Sequence, residues 1–326
     1  MVRYFLFLVF ILSFLYNCTV SLFPGGGFGQ QDLEEKVITG KDRDKIVMIS
    51  LEGVITHEHE ENFLGIRTES PISLVKEILK RAEKDTNVRA LILKINSPGG
   101  TVTASDIIYN EVRQFRKRKN VPVMTVFMDV GASGAYYIAM ASDIVAAHPT
   151  TVTGSIGVIL QGINVKEGLG KIGIYDQSIT SGANKSIGSP LRDLEPAQRE
   201  ILQSIVNDLH SRFYNVVKEG RPGFRGKEAN LKALCDGRIF TAEQAREKGL
   251  IDMVGYFEDF VPALMRHKDY QKTEGNNYPT IVTYVRGKGK VENLYQASYS
   301  SSYKENILNQ LMFPKSSARF YYLWSL

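Results

Sequence analysis

Residues 90–137 read ALILKINSPGGTVTASDIIYNEVRQFRKRKNVPVMTVFMDVGASGAYY. An apolar run from Ala90 to Ile95 ends in Asn96-Ser97-Pro98-Gly99-Gly100, an amphipathic stretch covers Ala104 to Arg118, and a second apolar run from Val121 to Phe127 precedes a loop of small residues around Ser133. The hydrophobic period passes from strand-like to 3.6 and back, which predicts strand, helix and strand. Joined in that order they form a right-handed βαβ unit of a largely parallel sheet. The same alternation extends outward. Lys45–Leu51 and Ile144–Ala147 read as strands, Ile72–Ala82 and Gly134–Ala141 as helices, and the region near Tyr175 to Ile179 as a further strand. A long helix follows Pro196, whose ring suits a first helical turn, and runs to about Lys218. Thr241 to Gly249 reads as a short helix capped by Thr241 and closed by Gly249. From about Lys268 the pattern dissolves into Gly, Asn, Ser, Tyr and Lys, as expected of a weakly ordered or docking segment. No internal repeat is visible.

The 326 residues are 43% hydrophobic and 23% charged, a globular balance. Forty basic against thirty-five acidic side chains leave a net +5, too mild and too dispersed to point to nucleic acid. Two cysteines, Cys18 and Cys235, exclude a disulfide framework and a multi-cysteine metal site. Among five histidines only His57 and His59 lie close together, so no zinc centre, metal or cofactor is expected. Arg3 precedes an apolar run from Tyr4 to Tyr16 that reads as an export signal. Leu15-Tyr16-Asn17-Cys18 resembles a loosened bacterial lipobox in which Cys18 is acylated. Apolar character persisting to Phe23 fits an uncleaved helical anchor equally well. A simple cleaved signal is the third alternative, and each of the three exports the chain or fixes it at a membrane. The organisation expected is a signal or anchor over 1–23, a linker over 24–44 containing the Pro24-Gly25-Gly26-Gly27 tether, an α/β domain over 45–264, and an extension of unknown role over 265–326. Cys235 is expected to be a buried apolar residue rather than a nucleophile.

Ligands of open parallel sheets sit beyond the carboxyl ends of strands. In Asn96–Gly100 two glycines permit positive φ and can turn backbone N–H groups toward an oxygen, or simply make a turn. Ser133, in Gly131-Ala132-Ser133-Gly134-Ala135-Tyr136-Tyr137, lies between residues with almost no side chain and just before a helix. A nucleophilic hydroxyl needs such access, and a helix N-terminus favours the oxyanion that develops. Helix-to-sheet packing would explain the same small residues. Ala135 stands where the last glycine of a G-x-S-x-G elbow belongs. Of the possible bases, His148 has no carboxylate beside it in Pro149-Thr150-Thr151 and reads as a loop or partly buried residue. Lys185, in Ser181-Gly182-Ala183-Asn184-Lys185-Ser186-Ile187-Gly188-Ser189-Pro190, is the better candidate provided its amine is desolvated; otherwise it is a solvated surface lysine. Ser155, in Gly154-Ser155-Ile156-Gly157-Val158, could hold a lysine amine in register or satisfy a turn. Gly168-Leu169-Gly170-Lys171 lacks the spacing and following hydroxyl of a P-loop and reads as a helix end.

Taken together, NSPGG, GASGAYY, TGSIGV and SGANKSIGSP resemble, in order and spacing, the signal peptide peptidase A family of Ser–Lys serine proteases in its short bacterial form. The similarity covers about Lys45 to Phe260. It implies a Clp-protease/crotonase fold, with Ser133 as nucleophile and Lys185 as general base and acid. Ser155 would position the Lys185 amine, and the backbone N–H of Gly100, with that of Gly134, would form the oxyanion hole. Ala135 departs from the glycine expected there. The resemblance further implies action on signal-peptide remnants and other unstructured chains at the membrane, without a cofactor. It also implies dome-like homo-oligomeric rings in which serine and lysine come from neighbouring subunits, so that a monomer is inactive. Two other classes remain. A crotonase-type acyl-CoA enzyme shares the fold, but an export signal argues against cytosolic CoA substrates. A non-catalytic membrane scaffold would not need both Ser133 and Lys185.

Overall fold

The computed structural model describes residues 32–57, 69–286, 291, 293–296 and 320–324. The expected signal or anchor, including Cys18, lies outside the described residues, as does His59. Among the described residues, no helix is long and apolar enough to cross a membrane. Strands β1 (Leu33–Thr39), β2 (Lys45–Glu52), β3 (Val88–Ser97), β4 (Gly99–Thr101), β5 (Val123–Ala132) and β6 (Ile144–Ala147) are interleaved with helices α1 (Pro71–Lys84), α2 (Val102–Lys119) and α3 (Gly134–Ala139). The neighbours β2, β3, β5 and β6 run parallel. Parallel strands covered on both faces carry continuous apolar runs, and Ile46 to Ile49 and Ala90 to Leu93 are accordingly buried throughout. Alternate residues serve opposite layers. Val47, Ile49, Leu91 and Leu93 pack with Leu74, Val75, Ile78 and Leu79 of α1 and with Ile108, Val112 and Phe115 of α2. Ile46, Met48, Ile92, Met124 and Val126 meet Phe257, Phe260, Val261 and Leu264 of a helix at Phe257–Met265 on the other side.

Beyond α3 come β7 (Val152–Gly154), β8 (Ile159–Leu160), α4 (Lys166–Lys171), α5 (Pro196–Gly220), α6 (Glu228–Leu234), β9 (Ile239–Thr241), α7 (Ala242–Glu247), β10 (Met253–Val254), α8 (Phe257–Met265), β11 (Thr280–Arg286) and β12 (Phe320–Leu323). Gly168–Lys171 does end a helix, α4. Thr241 caps α7 through a capping box with Gln244, and Gly249 follows it with φ +74°, as the sequence predicts. Two expectations are corrected. The region from Tyr175 to Ile179 forms no strand. Ile179, its one β-branched residue, is fully exposed, and Arg192 instead ties the segment down by an ion pair with Asp176 and a 2.7 Å bond to the Ser178 carbonyl.

The second correction concerns the segment after Lys268, where β11 enters the main sheet between β1 and β2, antiparallel to the first and parallel to the second. Thr280-Ile-Val-Thr-Tyr-Val is a β-branched run whose first residues are buried. The Gly, Asn and Pro residues in front of it conceal that pattern in the sequence. Asp44 holds this return in place. Its carboxylate accepts from Arg89 Nε at 2.9 Å and from the Thr273 amide at 2.7 Å. Burial alone would raise the Asp44 carboxyl, but the hydrogen bonds from Thr273 and Arg89 hold it at about 2. A carboxyl depressed in the folded state stabilises fully above its unfolded value and loses that contribution as pH falls toward 2. Asp44→Asn is expected to cost about 2 kcal/mol near neutrality and to flatten the acid limb of stability below about pH 4, read by urea titrations across pH.

Candidate active site

Ser133 is presented by an irregularity at the carboxyl end of β5. The register of β5 against β3 shifts between Ile95 and Ser97, so that Ser97 pairs with Gly131. Gly131 is needed at this bulge because a Cβ there would stand 2.1 Å from the Phe127 ring. Past the bulge, Val130 to Ala132 pair with β7 instead of β6. The Ser133 amide then donates to the Gly154 carbonyl at 2.8 Å. These bonds hold Ser133 at φ 53° and ψ −114°, a conformation that costs a residue with a Cβ of order 1–3 kcal/mol. The side chain is 1% exposed, and its Oγ has no hydrogen-bond partner among the described residues. A buried hydroxyl left unpaired on a strained backbone is the kind of exception that function explains.

The glycines bring a second stretch of backbone against this serine. Gly99 has φ 108°, and the Ser97 hydroxyl accepts from its amide at 3.1 Å. A Cβ at Gly100 would stand 1.9 Å from the Ile55 carbonyl, and one at Gly134 would stand 2.4 Å from Ser105 Oγ and 3.1 Å from the Gly100 nitrogen. At Gly99 it would stand 2.0 Å from the Tyr322 carbonyl oxygen and 2.7 Å from the Gly134 nitrogen. Gly99 and Gly134 therefore stand against the Tyr322 carbonyl oxygen and Gly100 against the Ile55 carbonyl, with no room for side chains. The Gly100 and Gly134 nitrogens lie together at this closely packed corner, and paired backbone amides are the elements of an oxyanion hole. The helix contributes less than its sequence suggests, since α3 ends at Ala139 rather than Ala141 and spans six residues. In so short a helix the individual amides matter more than a macrodipole.

Ser155 follows Gly154, the residue that receives the Ser133 amide, and is itself at φ 50° with 7% exposure. Its amide donates to Arg238 at 2.8 Å, so β7 and the start of β9 fix it one residue beyond the strand that fixes Ser133. Lys185 is elsewhere. It is exposed, within an excursion over 161–195 whose polar contacts among the described residues are internal or reach only the start of α5. Val165 bonds the Pro190 carbonyl at 2.8 Å, Lys166 pairs with Asp193, and Gln198 reaches the Ala183 carbonyl at 2.8 Å. Lys185 makes no hydrogen bond to Ser133 within one chain. The same excursion and the first half of α5 expose Ile172, Ile174, Tyr175, Ile179, Ile201 and Ile205, with Ile179 wholly in solvent.

The other candidates separate from this site. His148 lies on the α8 side, with its ring 5.6 to 5.8 Å from those of Tyr256, Phe257 and Phe260. Burial lowers its pKa and favours the neutral imidazole. Cys235 is buried, and burial pushes its thiol up to about 12. The folded protein should therefore leave Cys235 unalkylated by iodoacetamide at pH 8, with modification appearing only in denaturant. Sequence reasoning singled out Gly99 for positive φ, which it has, but missed its close approach to Gly134 and the pair β4 and β8 as walls of a groove. It also missed that Phe320-Tyr321-Tyr322-Leu323 fills that groove. The aromatic run was the available signal.

The model of peptidase family S49 matches residues 115–271, and that of Clp protease matches residues 63–153. The chain is 35% identical over 243 residues to a putative signal peptide peptidase SppA of Enterococcus faecium, covering 74% of this chain and 69% of the relative. It is 32% identical to Protease 4 of Haemophilus influenzae, over 67% of this chain and 34% of that one. The chloroplastic serine protease SPPA of Arabidopsis thaliana is 31% identical over 55% of this chain and 26% of that one. The chain thus spans about two thirds of the bacterial peptidase and a third or less of the two longer proteins. The S49 match contains Ser133, Ser155 and Lys185, and the Clp match contains Gly100 and ends just before Gly154.

Proposed function

Since the chain belongs to peptidase family S49, a family of serine proteases, we propose that it is an endopeptidase in which Ser133 is acylated and Lys185 of a neighbouring copy is the general base. The observation that carries this reading is the buried, unpaired Ser133 hydroxyl on a strained backbone beside the Gly99–Gly100 and Gly134 amides. Ser133 Oγ attacks a peptide carbonyl whose oxygen is received by the Gly100 and Gly134 amides. Its proton passes to the neutral Lys185 amine, which then protonates the leaving nitrogen and activates water for deacylation. Ser155 positions the Lys185 amine from the end of β7. A lysine becomes a base only where its charge is desolvated. In one chain Lys185 is exposed, and the apolar residues around it offer a surface for a second copy, which would supply that burial. A ring of such copies makes each site from two chains.

The groove between β4 and β8 accepts an extended strand by backbone pairing, which suits unfolded chains and signal-peptide remnants rather than folded proteins. An acylated Cys18 or an apolar helix over 1–23 would hold the catalytic domain at the outer side of a bacterial membrane, where such remnants arise. Incubation of the assembled protein with a peptidyl phosphonate of apolar sequence, followed by peptide mapping, tests the reading. One covalent adduct, on Ser133, is expected, together with loss of cleavage of an unfolded protein. An assembled protein that cleaves while Ser133 stays unmodified overturns it. Gly134→Ala would crowd Ser105 and the Gly100 amide, and is expected to lower kcat by about 10²-fold with assembly retained, measured on the same substrate.

A further inference from the structure

Strand β5 carries the nucleophile across an irregularity that side chains from both flanking strands close. Between the pairs Ile95–Phe127 and Ser97–Gly131, β3 sets a single residue, Asn96, against Met128 to Val130 of β5. Such a bulge interrupts the ladder and re-aims the residues beyond it. It also deprives backbone groups of their ladder partners, and those shielded from water must find others. The Asn96 side chain supplies one. Its Oδ1 accepts from the Val130 amide at 3.1 Å, and its Nδ2 donates to the Asp129 carboxylate at 3.2 Å. A carboxylate only accepts, so Asp129 orients the Asn96 amide with its oxygen toward Val130. The Asn96 carbonyl in turn accepts from the Gly53 amide at 2.9 Å, which fixes Asn96 from the β2 side.

The other side of the bulge is met by β7 and the turn before it. Thr153 pairs with Gly131, is wholly buried, and donates its hydroxyl to the Gly131 carbonyl at 2.6 Å. Thr151, equally buried, donates to the Met128 carbonyl and, at 3.2 Å, to that of Phe127. Val130 and Gly131, which lead directly into Ala132 and Ser133, are therefore gripped from both neighbouring strands. A strained conformation such as that of Ser133 persists only where its surroundings over-determine it. Asn96 also opens the run Ser97-Pro98-Gly99-Gly100, so one side chain ties the loop that carries the Gly100 amide to the arm that carries the serine.

We propose that Asn96 and Thr153 are positioning residues for the reaction of Ser133, holding Val130 and Gly131 from the two flanking strands so that the serine oxygen stands against the Gly100 and Gly134 amides. This rests on the Ser133 reading above. Neither side chain acts on the reacting atoms; each acts through the backbone of β5. A misplacement on the order of 1 Å at a reacting group costs about 10²-fold in rate. Pairing of a substrate along β4 and β8 does not use the bulge, so loss of the clamp falls on kcat rather than on KM.

Steady-state cleavage of an unfolded protein by full-length, assembled variants tests the clamp. Thr153→Val keeps the side-chain shape and removes the donor, whereas Thr153→Ser keeps the donor. The expected result is a kcat lowered at least about 10-fold in Thr153→Val at unchanged KM, and within about threefold of wild type in Thr153→Ser. Asn96→Asp still accepts from Val130 but sets a second carboxylate against Asp129, and should lower kcat by about 10-fold. Adding Asp129→Asn exchanges donor and acceptor between the two positions and should restore most of that loss, which a merely structural defect would not allow. Should Thr153→Val fail to assemble, the Asn96 and Asp129 pair, which lies nearer the surface, decides alone. A Thr153→Val or Asn96→Asp chain as active as wild type, a loss that Asp129→Asn does not restore, or losses carried by KM alone overturn the proposal. Ser133→Ala run alongside separates this from the reading beneath it. An assembled Ser133→Ala chain that still cleaves removes the Ser133 reading, whereas an inactive one beside fully active clamp variants removes only the clamp.

Discussion

Ser133→Ala is expected to abolish peptide cleavage, with a fall in kcat of about 10⁴-fold or more and no loss of assembly. Among the described residues the Ser133 hydroxyl makes no hydrogen bond, so removing that oxygen breaks none of them and leaves a buried apolar methyl in place of an unpaired polar group. Alanine tolerates φ 53° no worse than serine, because the strain lies in the Cβ that both share. Thermal stability of Ser133→Ala should therefore equal or exceed that of wild type while activity is lost. The two readouts moving in opposite directions mark an active-site residue. A parallel loss of both would assign Ser133 to the core, and retained cleavage would remove it from the mechanism.

Lys185→Ala is expected to lower kcat by about 10³-fold or more, again without unfolding the chain. In one chain Lys185 is exposed, with its amide bonded to the Gly182 carbonyl within the excursion, so alanine forfeits little packing there. Lys185→Arg should be equally inactive. A guanidinium keeps its charge at every working pH and cannot accept the serine proton. That variant separates a base from a mere positive charge at the groove, because a charge-only role would survive it. Its activity is checked on the same unfolded protein, with light scattering used to confirm assembly.

The parallel core was legible because its signals are local and mutually consistent. Ala90–Ile95 and Val121–Phe127 are apolar runs of strand length flanking an amphipathic helix, and a parallel βαβ unit buries all three. The meeting of the Ser133–Gly134 and Gly99–Gly100 loops was legible for a related reason: small residues that close neighbouring parallel strands let the two backbones approach each other. What lay hidden depends on contacts between distant segments. Strand β11 is an ordinary β-branched run whose place between β1 and β2 is settled by Asp44, Arg89 and Thr273, none of which is near it in pattern. The aromatic strand β12 has meaning only opposite Gly99 to Thr101. Tyr175 to Ile179 misled because an aromatic and a β-branched residue at its ends read as a strand, whereas both are exposed and pair with no sheet.

The separation of Ser133 from Lys185 within one chain makes the shared site the central claim, and one measurement reaches it directly. Ser133→Ala and Lys185→Ala chains, each inactive alone, are co-expressed in equal amounts, the mixed assemblies purified, and cleavage of an unfolded protein measured. If each site takes its serine from one copy and its lysine from the next, random mixing leaves about a quarter of the sites intact, so about a quarter of wild-type activity returns. If both residues of a site come from the same chain, every site lacks one of them. Mixed assemblies that stay inactive would contradict the account.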